Sequence, residues 1–186
     1  MSDPIHAVTN QAPPLQDYDL YAADRVLRQG VERQGAGWAD DELHDVGRRA
    51  GSAECIAWGF DANRFPPALR AFDRYGARID EVEFHPAWHE LVSFAVEHGM
   101  HGTPWANSRP GAHVARTAAF YLWSQVESGH GCPISMTYAS VPTVRHQAEL
   151  AAVWEPLAES RRYDPGLRPV SDKAGVLLGM AMTERQ

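Results

Sequence analysis

The sequence ends with Gly175-Val176-Leu177-Leu178-Gly179-Met180-Ala181-Met182-Thr183-Glu184-Arg185-Gln186. This stretch is apolar as far as Met182 and polar afterwards. A strand with this sequence would be apolar on both faces, which is typical of a strand buried on both sides. A buried strand must pair its backbone N–H and C=O groups with neighbouring strands, and the rest of the sequence offers few candidates. We therefore predict that residues 174–186 are the first strand of a β domain whose other strands lie beyond this sequence.

The same segment carries a family resemblance. Gly179-Met180-Ala181-Met182-Thr183-Glu184 resembles the flavin-binding segment of the acyl-CoA dehydrogenase family. Further stretches resemble the adaptive-response (AidB-type) branch of that family and follow in the family's order: Gly35–Trp38, Phe84–His89, Val114–Arg116, Gln125–Gly129 and Cys132–Thr137. The sequence is identified as a member of this branch, of which it covers the N-terminal part.

The resemblance implies a mainly α fold. We expect an N-terminal helical domain of the acyl-CoA dehydrogenase type that ends in the first strand of a truncated middle β domain. The expected divisions are an N-terminal arm over residues 1–18, a helical domain over 19–160, a linker over 161–173 and the strand over 174–186. The linker contains Pro165, Gly166 and Pro169, which is typical of an irregular connection.

Hydrophobic periodicity predicts the helices of the helical domain. The predicted helices cover residues 20–34, 40 to about 65, 87–97, 112–128, 135–139 and 143–154. Between the second and the third, the Tyr75-Gly76 turn and the alternating residues up to Phe84 favour a short hairpin or an irregular excursion over a helix. Pro142 is expected to break the helix that starts at Ser135, because proline lacks the backbone N–H.

Composition excludes several classes of protein. The chain has 186 residues, 44% of them hydrophobic, and a net charge of −7 with its histidines neutral. It contains no block of basic residues, so we expect no DNA contact from this portion. No apolar run is long enough to cross a membrane and the N-terminus lacks a signal pattern, which together predict a cytoplasmic protein.

Flavin recognition needs fixed hydrogen-bond donors and acceptors along the edge of the ring, and the end of a strand supplies backbone groups at regular intervals. Thr183 adds a hydroxyl that both donates and accepts. The resemblance implies that the cofactor is FAD and that six residues contact it: Met180, Met182, Thr183, Glu184, Arg185 and Gln186. Without the resemblance, an ordinary buried strand would be the simpler interpretation.

The segment Cys132–Thr137 is a second candidate for the site. The resemblance places the matching part of the family near the flavin and the acyl pocket. Its hydroxylated residues and the nearby Ser140 suit either a close approach to a planar ring or a tight connection between helices. The sequence leaves both interpretations open.

Other polar residues are weaker candidates. The sequence contains nine histidines, and His85 and His89 have a spacing that metal sites use on helices. Pro86 follows His85 where zinc hydrolases have a glutamate, so we predict no metal site. Arg116 is expected to pair with Glu127 or Asp73 in the interior.

The resemblance implies an oxidoreductase that dehydrogenates acyl-CoA thioesters at the α and β carbons and passes a hydride to flavin. The family's catalytic base lies in its C-terminal helical bundle, so no catalytic residue is assigned here and the chain alone is expected to be inactive. The implied partners are an acyl-CoA substrate and further copies in a homotetramer. The alternative is a non-catalytic helical assembly module of an adaptive-response protein that protects against alkylation.

Overall fold

The computed structural model describes residues 8–181 and 183 of the chain. Within these residues the chain is mainly α-helical and contains one two-stranded antiparallel hairpin. The helices are α1 (Leu20–Ala23), α2 (Arg25–Arg33), α3 (Asp40–Ala50), α4 (Ala53–Arg64), α5 (Pro86–Glu97), α6 (Thr103–Ala106), α7 (Ala112–Ser124), α8 (Gly131–Val144) and α9 (Ala148–Ala158), and the strands are β1 (Ala68–Phe72) and β2 (Arg78–Glu83). The mainly α fold predicted from the sequence is therefore confirmed. Over the described residues, no helix has the length and apolar character that a membrane span requires.

The helices pack around one apolar core. Helix α1 lies on α3, α3 on α7, α4 on α5, α5 on α8, and α8 on α9. Trp123 of α7, Leu91 of α5 and Ile134 of α8 are completely buried in this core. The indole N–H of Trp123 donates to the carbonyl of Leu91 at 2.9 Å, so the polar group of this large side chain is satisfied inside the core.

The first predicted helix, residues 20–34, is split at Asp24. The side chain of Asp24 accepts a hydrogen bond from the N–H of Leu27 at 2.8 Å and caps the start of α2. An aspartate in this position satisfies an N–H that the first turn of a helix leaves free. Two short helices therefore replace the single predicted one, because periodicity does not register a cap inside an amphipathic stretch.

The second predicted helix, which starts at Asp40, is split at Gly51 and Ser52. Ser52 caps α4 by accepting a hydrogen bond from the N–H of Cys55. Gly51 lies so close to the backbone of Tyr18 that a Cβ atom there would overlap its carbonyl oxygen. The close approach of the chain before α1 thus requires a glycine at the point where α3 ends.

Of the two alternatives that the sequence left open for residues 70–84, the structure contains the hairpin. Strands β1 and β2 pair from Ala68 opposite Glu83 to Phe72 opposite Arg78, with an irregular register next to Phe72. Nearly every residue of both strands is exposed. The hairpin therefore projects from the helical body and displays apolar side chains: Leu69, Phe72, Tyr75 and Val82.

The predicted break at Pro142 is wrong, because α8 continues through this residue to Val144. A proline removes the N–H that would otherwise bind the carbonyl four residues earlier, which here belongs to Tyr138. The indole N–H of Trp105, on α6, donates to that carbonyl at 2.8 Å. A side chain from another helix thus replaces the lost backbone donor, so the helix continues.

The predicted strand over 174–186 is not formed in its described part, residues 174–181 and 183. The two strands of the described chain pair only with each other, so no described strand is available to this segment. Its N–H groups bind the helical domain instead: Val176 donates to the carbonyl of Leu157 at 3.1 Å, and Leu178 donates to Oγ1 of Thr137 at 2.9 Å. Backbone groups that leave water need partners, and here the helices supply them. The division into arm, helical domain, linker and β domain stays a prediction.

Candidate functional site

The two segments that the sequence analysis singled out lie against each other. Thr137, the last residue of the segment Cys132–Thr137, accepts a hydrogen bond from the N–H of Leu178, which immediately precedes Gly179. The side chain of Thr137 is completely buried. Helix α8 therefore holds the chain at the point where the predicted flavin-binding segment begins.

The described residues of that segment face outward. Met180 is 44% exposed, and Ala181 and Thr183 are also exposed. A Cβ atom at Gly179 would meet nothing within 4 Å. The other predicted flavin-contacting residues lie outside the described residues: Met182, Glu184, Arg185 and Gln186.

The start of the predicted flavin-binding segment is open around Gly179. Over the described residues, the N–H groups of Gly179, Met180 and Ala181 make no hydrogen bond, and the space beside Gly179 is open. Backbone N–H groups of this kind are the donors that a flavin edge needs. Among the described residues the segment thus has unpaired donors and open space beside Gly179, and its contact with flavin stays a prediction.

The hydroxyl groups of α8 are used inside the helix. Thr137 donates to the carbonyl of Pro133 and Ser140 to that of Met136, each at 2.8 Å, and Ser140 is buried. These bonds to the carbonyl four residues earlier satisfy the hydroxyl groups locally. They favour the tight-packing interpretation for these two residues, and Thr137 has the additional bond to Leu178.

A groove of about 720 Å³ lies next to residues 175–177, just before the predicted flavin-binding segment. Its walls are β2, the start of α5 and the chain from residue 160 to residue 177. The apolar and aromatic side chains that line it include Val82, Phe84, Trp88, Trp154 and Leu177. Phe84 and Trp88 stack with ring centroids 3.9 Å apart. The segment therefore turns Leu177 toward this groove, while Leu178 bonds to α8.

One polar pair interrupts the apolar lining of the groove. The hydroxyl of Tyr163 lies 2.6 Å from Nδ1 of His89. Burial raises the pKa of Tyr163 to about 12 and lowers the pKa of His89, so both groups are neutral near pH 7. The direction of this bond follows the tautomer of the imidazole: Tyr163 donates when the proton is on Nε2 and accepts when it is on Nδ1. The sequence analysis missed Tyr163, because it lies 74 residues from its partner.

The aromatic residues divide between core and groove. Trp123 is buried in the core, whereas Trp88 lines the groove. Arg116 does not form the predicted pair with Glu127 or Asp73. Its Nε donates to the carbonyl of Met100 at 2.5 Å, and its guanidinium lies over the rings of Phe120 and Tyr138.

The histidines that suggested a metal pair have separate roles. His85 caps α5, where its Nδ1 accepts from the N–H of Ala87 at 3.2 Å, and its ring stacks on Phe65. His89 bonds to Tyr163 as described above. Over residues 8–181 and 183, no group of three or more histidine, cysteine or acidic residues has the arrangement of a metal site.

A helical domain of this architecture, with its last described segment held on α8, defines the class: it is an N-terminal domain of the acyl-CoA dehydrogenase type. More particularly, the chain belongs to the family described as adaptive response protein AidB N-terminal domain, whose family model matches residues 10–165. The family predicted from the sequence motifs is therefore confirmed.

Similarity to known proteins supports the same assignment. The chain is 43% identical, over 183 residues, to the Escherichia coli (strain K12) protein that carries the provisional name acyl-CoA dehydrogenase AidB. The match covers 97% of this chain and 34% of that protein. The chain thus spans about a third of the length of the curated relative it matches.

Two solved structures share the fold. The structure named Bd2924 apo-form has a TM-score of 0.74 and 25% identity, and the match covers 83% of this chain and 32% of that chain. Caenorhabditis elegans ACDH-11, solved in complex with C11-CoA, has a TM-score of 0.72 and 23% identity, with 84% of this chain and 28% of that chain covered. The matched part of each of these two proteins has the fold of this chain.

Proposed function

We propose that this chain is the N-terminal portion of an FAD-dependent, acyl-CoA dehydrogenase-like flavoprotein that dehydrogenates acyl-CoA thioesters. The proposal is carried by the bond of Leu178 to Thr137 on α8, after which the described residues Gly179–Ala181 are exposed and have no described hydrogen-bond partner for their N–H groups. The relationship to the E. coli protein named as an acyl-CoA dehydrogenase, and the fold shared with ACDH-11 in complex with C11-CoA, support it.

The proposed role of this chain is to hold one edge of the cofactor. FAD, when bound, supplies the electron acceptor for the hydride that leaves the acyl chain. Backbone groups from Met180 onward and the hydroxyl of Thr183 would bind the ring edge, together with Met182, Glu184, Arg185 and Gln186. Because the resemblance assigns the catalytic base to a later helical bundle, we propose that the isolated chain binds flavin weakly and does not dehydrogenate acyl-CoA.

Backbone-assigned nuclear magnetic resonance spectra of the 186-residue chain test the cofactor site. Titration with FAD is expected to shift the amide signals of Gly179 to Thr183 and of the start of α8. Adenosine diphosphate, which lacks the isoalloxazine ring, is the matched control and should leave these signals in place. Amide shifts that are absent at millimolar FAD, or that are the same with both ligands, would contradict the proposal.

We also propose a second function, as a helical assembly module of an adaptive-response protein, and the projecting hairpin favours it. Leu69 is 68% exposed, Phe72 62% and Tyr75 80%, so the hairpin presents a cluster of apolar side chains to solvent. Exposed apolar clusters and unpaired strand edges are common contact surfaces between subunits. In this proposal the hairpin contributes to a homotetramer.

Light scattering of a hairpin variant distinguishes the two functions. Replacing Leu69 and Phe72 by serine is expected to reduce the assembled mass without changing the amide shifts that FAD causes. Val26→Ser is the matched control, because Val26 is 80% exposed on α2, away from the hairpin. An unchanged mass in the double variant would contradict the assembly role of the hairpin.

A further inference from the structure

We propose that Thr137 is a positioning residue that fixes the flavin-binding segment on α8. The inference rests on the proposed flavin-binding function and assigns a residue outside the predicted contact set. Thr137 is the residue through which α8 reaches Leu178, 41 residues later in the chain. The position of Leu178 determines where the following residues, from Gly179 onward, leave the helical domain.

The hydroxyl of Thr137 makes two bonds of different kinds. Oγ1 donates to the carbonyl of Pro133 at 2.8 Å, within α8, and accepts from the N–H of Leu178 at 2.9 Å. A hydroxyl is suited to this position because it is both donor and acceptor. Since Thr137 is completely buried, a side chain without the hydroxyl would leave the N–H of Leu178 without this acceptor.

The bond to Thr137 is the last described tie before the exposed residues. Upstream, Ser160 donates to the carbonyl of Ala174 at 2.6 Å, and Val176 donates to the carbonyl of Leu157 at 3.1 Å. Met180 follows Leu178 by two residues, a distance of at most about 7 Å along an extended chain. A shift of Leu178 on α8 therefore moves the first predicted flavin contact directly.

Helix α8 is well placed to serve as a fixed support. Glu127 accepts hydrogen bonds from the N–H groups of Gly129 and His130, in the turn directly before the first residue of the helix, Gly131. Trp105 donates to the carbonyl of Tyr138, the residue that follows Thr137. These contacts hold α8 before and after Thr137. Thr137 therefore holds Leu178 at a fixed position.

Three variants test this role. Thr137→Val removes the hydroxyl with little change in shape, and Thr137→Ser restores it. Thr143→Val is the matched control, because Thr143 lies on the same helix, is exposed, and donates only to the carbonyl of Ala139. Leu178→Pro removes the backbone N–H that donates to Thr137 and leaves the sequence of α8 unchanged. It provides a second test if Thr137→Val folds poorly.

Hydrogen exchange in the 186-residue chain tests the anchor itself. Thr137→Val is expected to accelerate exchange of the Leu178 amide by about tenfold, which is the effect of losing one hydrogen bond. Thr137→Ser and Thr143→Val should leave the exchange rate of this amide near the wild-type rate. Equal Leu178 rates in the wild-type chain and Thr137→Val would overturn the inference.

Titration with FAD tests the consequence for the cofactor. The amide shifts of Met180 and Thr183 are expected to shrink in Thr137→Val and Leu178→Pro and to return in Thr137→Ser. Full shifts in Thr137→Val, despite fast exchange at Leu178, would overturn the positioning role. If the wild-type chain shows no shifts with FAD, the proposed function fails and with it the cofactor role of Thr137, whereas the exchange rate still decides whether Thr137 anchors the segment.

Discussion

Glu127 and His130 form a buried pair at the start of α8, in which Oε2 of Glu127 lies 2.8 Å from the backbone nitrogen of His130 and 3.1 Å from its Nδ1. The other carboxylate oxygen accepts from the N–H of Gly129 at 2.6 Å. Burial opposes ionisation of Glu127, but these backbone N–H groups and the imidazole outweigh it and lower the pKa of the carboxyl group. The carboxylate therefore holds the turn that precedes α8 and pairs with His130 rather than with Arg116.

Removing the carboxylate of Glu127 should destabilise the domain. Glu127→Ala leaves the N–H groups of Gly129 and His130 without their acceptor, and we expect a loss of about 2–3 kcal/mol in the free energy of unfolding. Urea denaturation measures this loss. Glu54→Ala is the control, because Glu54 makes an exposed ion pair with Arg49 and should cost less than about 1 kcal/mol. Similar losses for both variants would show that the bonds of Glu127 to the turn before α8 do not stabilise the domain to this extent.

Trp105 and Pro142 should be energetically coupled through the carbonyl of Tyr138. Trp105→Phe removes the indole donor and is expected to cost about 1–3 kcal/mol, because the carbonyl is then left without a partner. In a Pro142→Ala background the new backbone N–H can bind this carbonyl, so the same substitution should cost less. A double-mutant cycle measures the difference. A coupling free energy of zero would rule out the proposed compensation.

His101 should make the stability of the domain depend on pH. Burial lowers its pKa from 6.5 to about 4, and its Nε2 donates to the carbonyl of Ser160 at 2.9 Å. Between pH 6.5 and about 4 the unfolded chain binds a proton at this residue and the folded chain does not, so stability falls as the pH falls through this range. The loss from this group is about 3 kcal/mol and stops below pH 4.

Urea denaturation at several pH values measures this dependence. His101→Gln keeps a donor for the carbonyl of Ser160 but does not titrate, so its unfolding free energy should fall less between pH 7 and pH 4 than that of the wild-type chain. Parallel pH profiles for the two proteins would show that His101 does not cause the dependence.

Two glycines inside helices should respond oppositely to the same substitution. A Cβ atom at Gly59, in α4, would overlap the carbonyl oxygen of Val126, so Gly59→Ala is expected to cost about 1–3 kcal/mol. A Cβ atom at Gly30, in α2, would meet nothing within 4 Å, so Gly30→Ala should stabilise the domain by about 0.5–1 kcal/mol. Thermal unfolding compares the two variants. A loss of stability in Gly30→Ala would contradict the open space at that position.

Periodicity identified most helices but not their ends. The stretch from Asp40 onward is helical on both sides of Gly51 and Ser52, and only the close approach of Tyr18 shows why a glycine is required at position 51. Likewise, Pro142 lies within α8 because Trp105 supplies a donor from a different helix. Such contacts join residues that are distant in sequence, so a local pattern cannot contain them.

The sequence by itself determined the class of fold and the family, because apolar spacing and short motifs are local properties of the chain. The tertiary structure decided where the segment after Gly175 lies. Its apolar residues predicted a buried strand, yet in the described residues its N–H groups bind Leu157 and Thr137. The physical reason is that backbone donors bind the partners that the fold brings within reach, and the described partners of this segment are helices rather than strands.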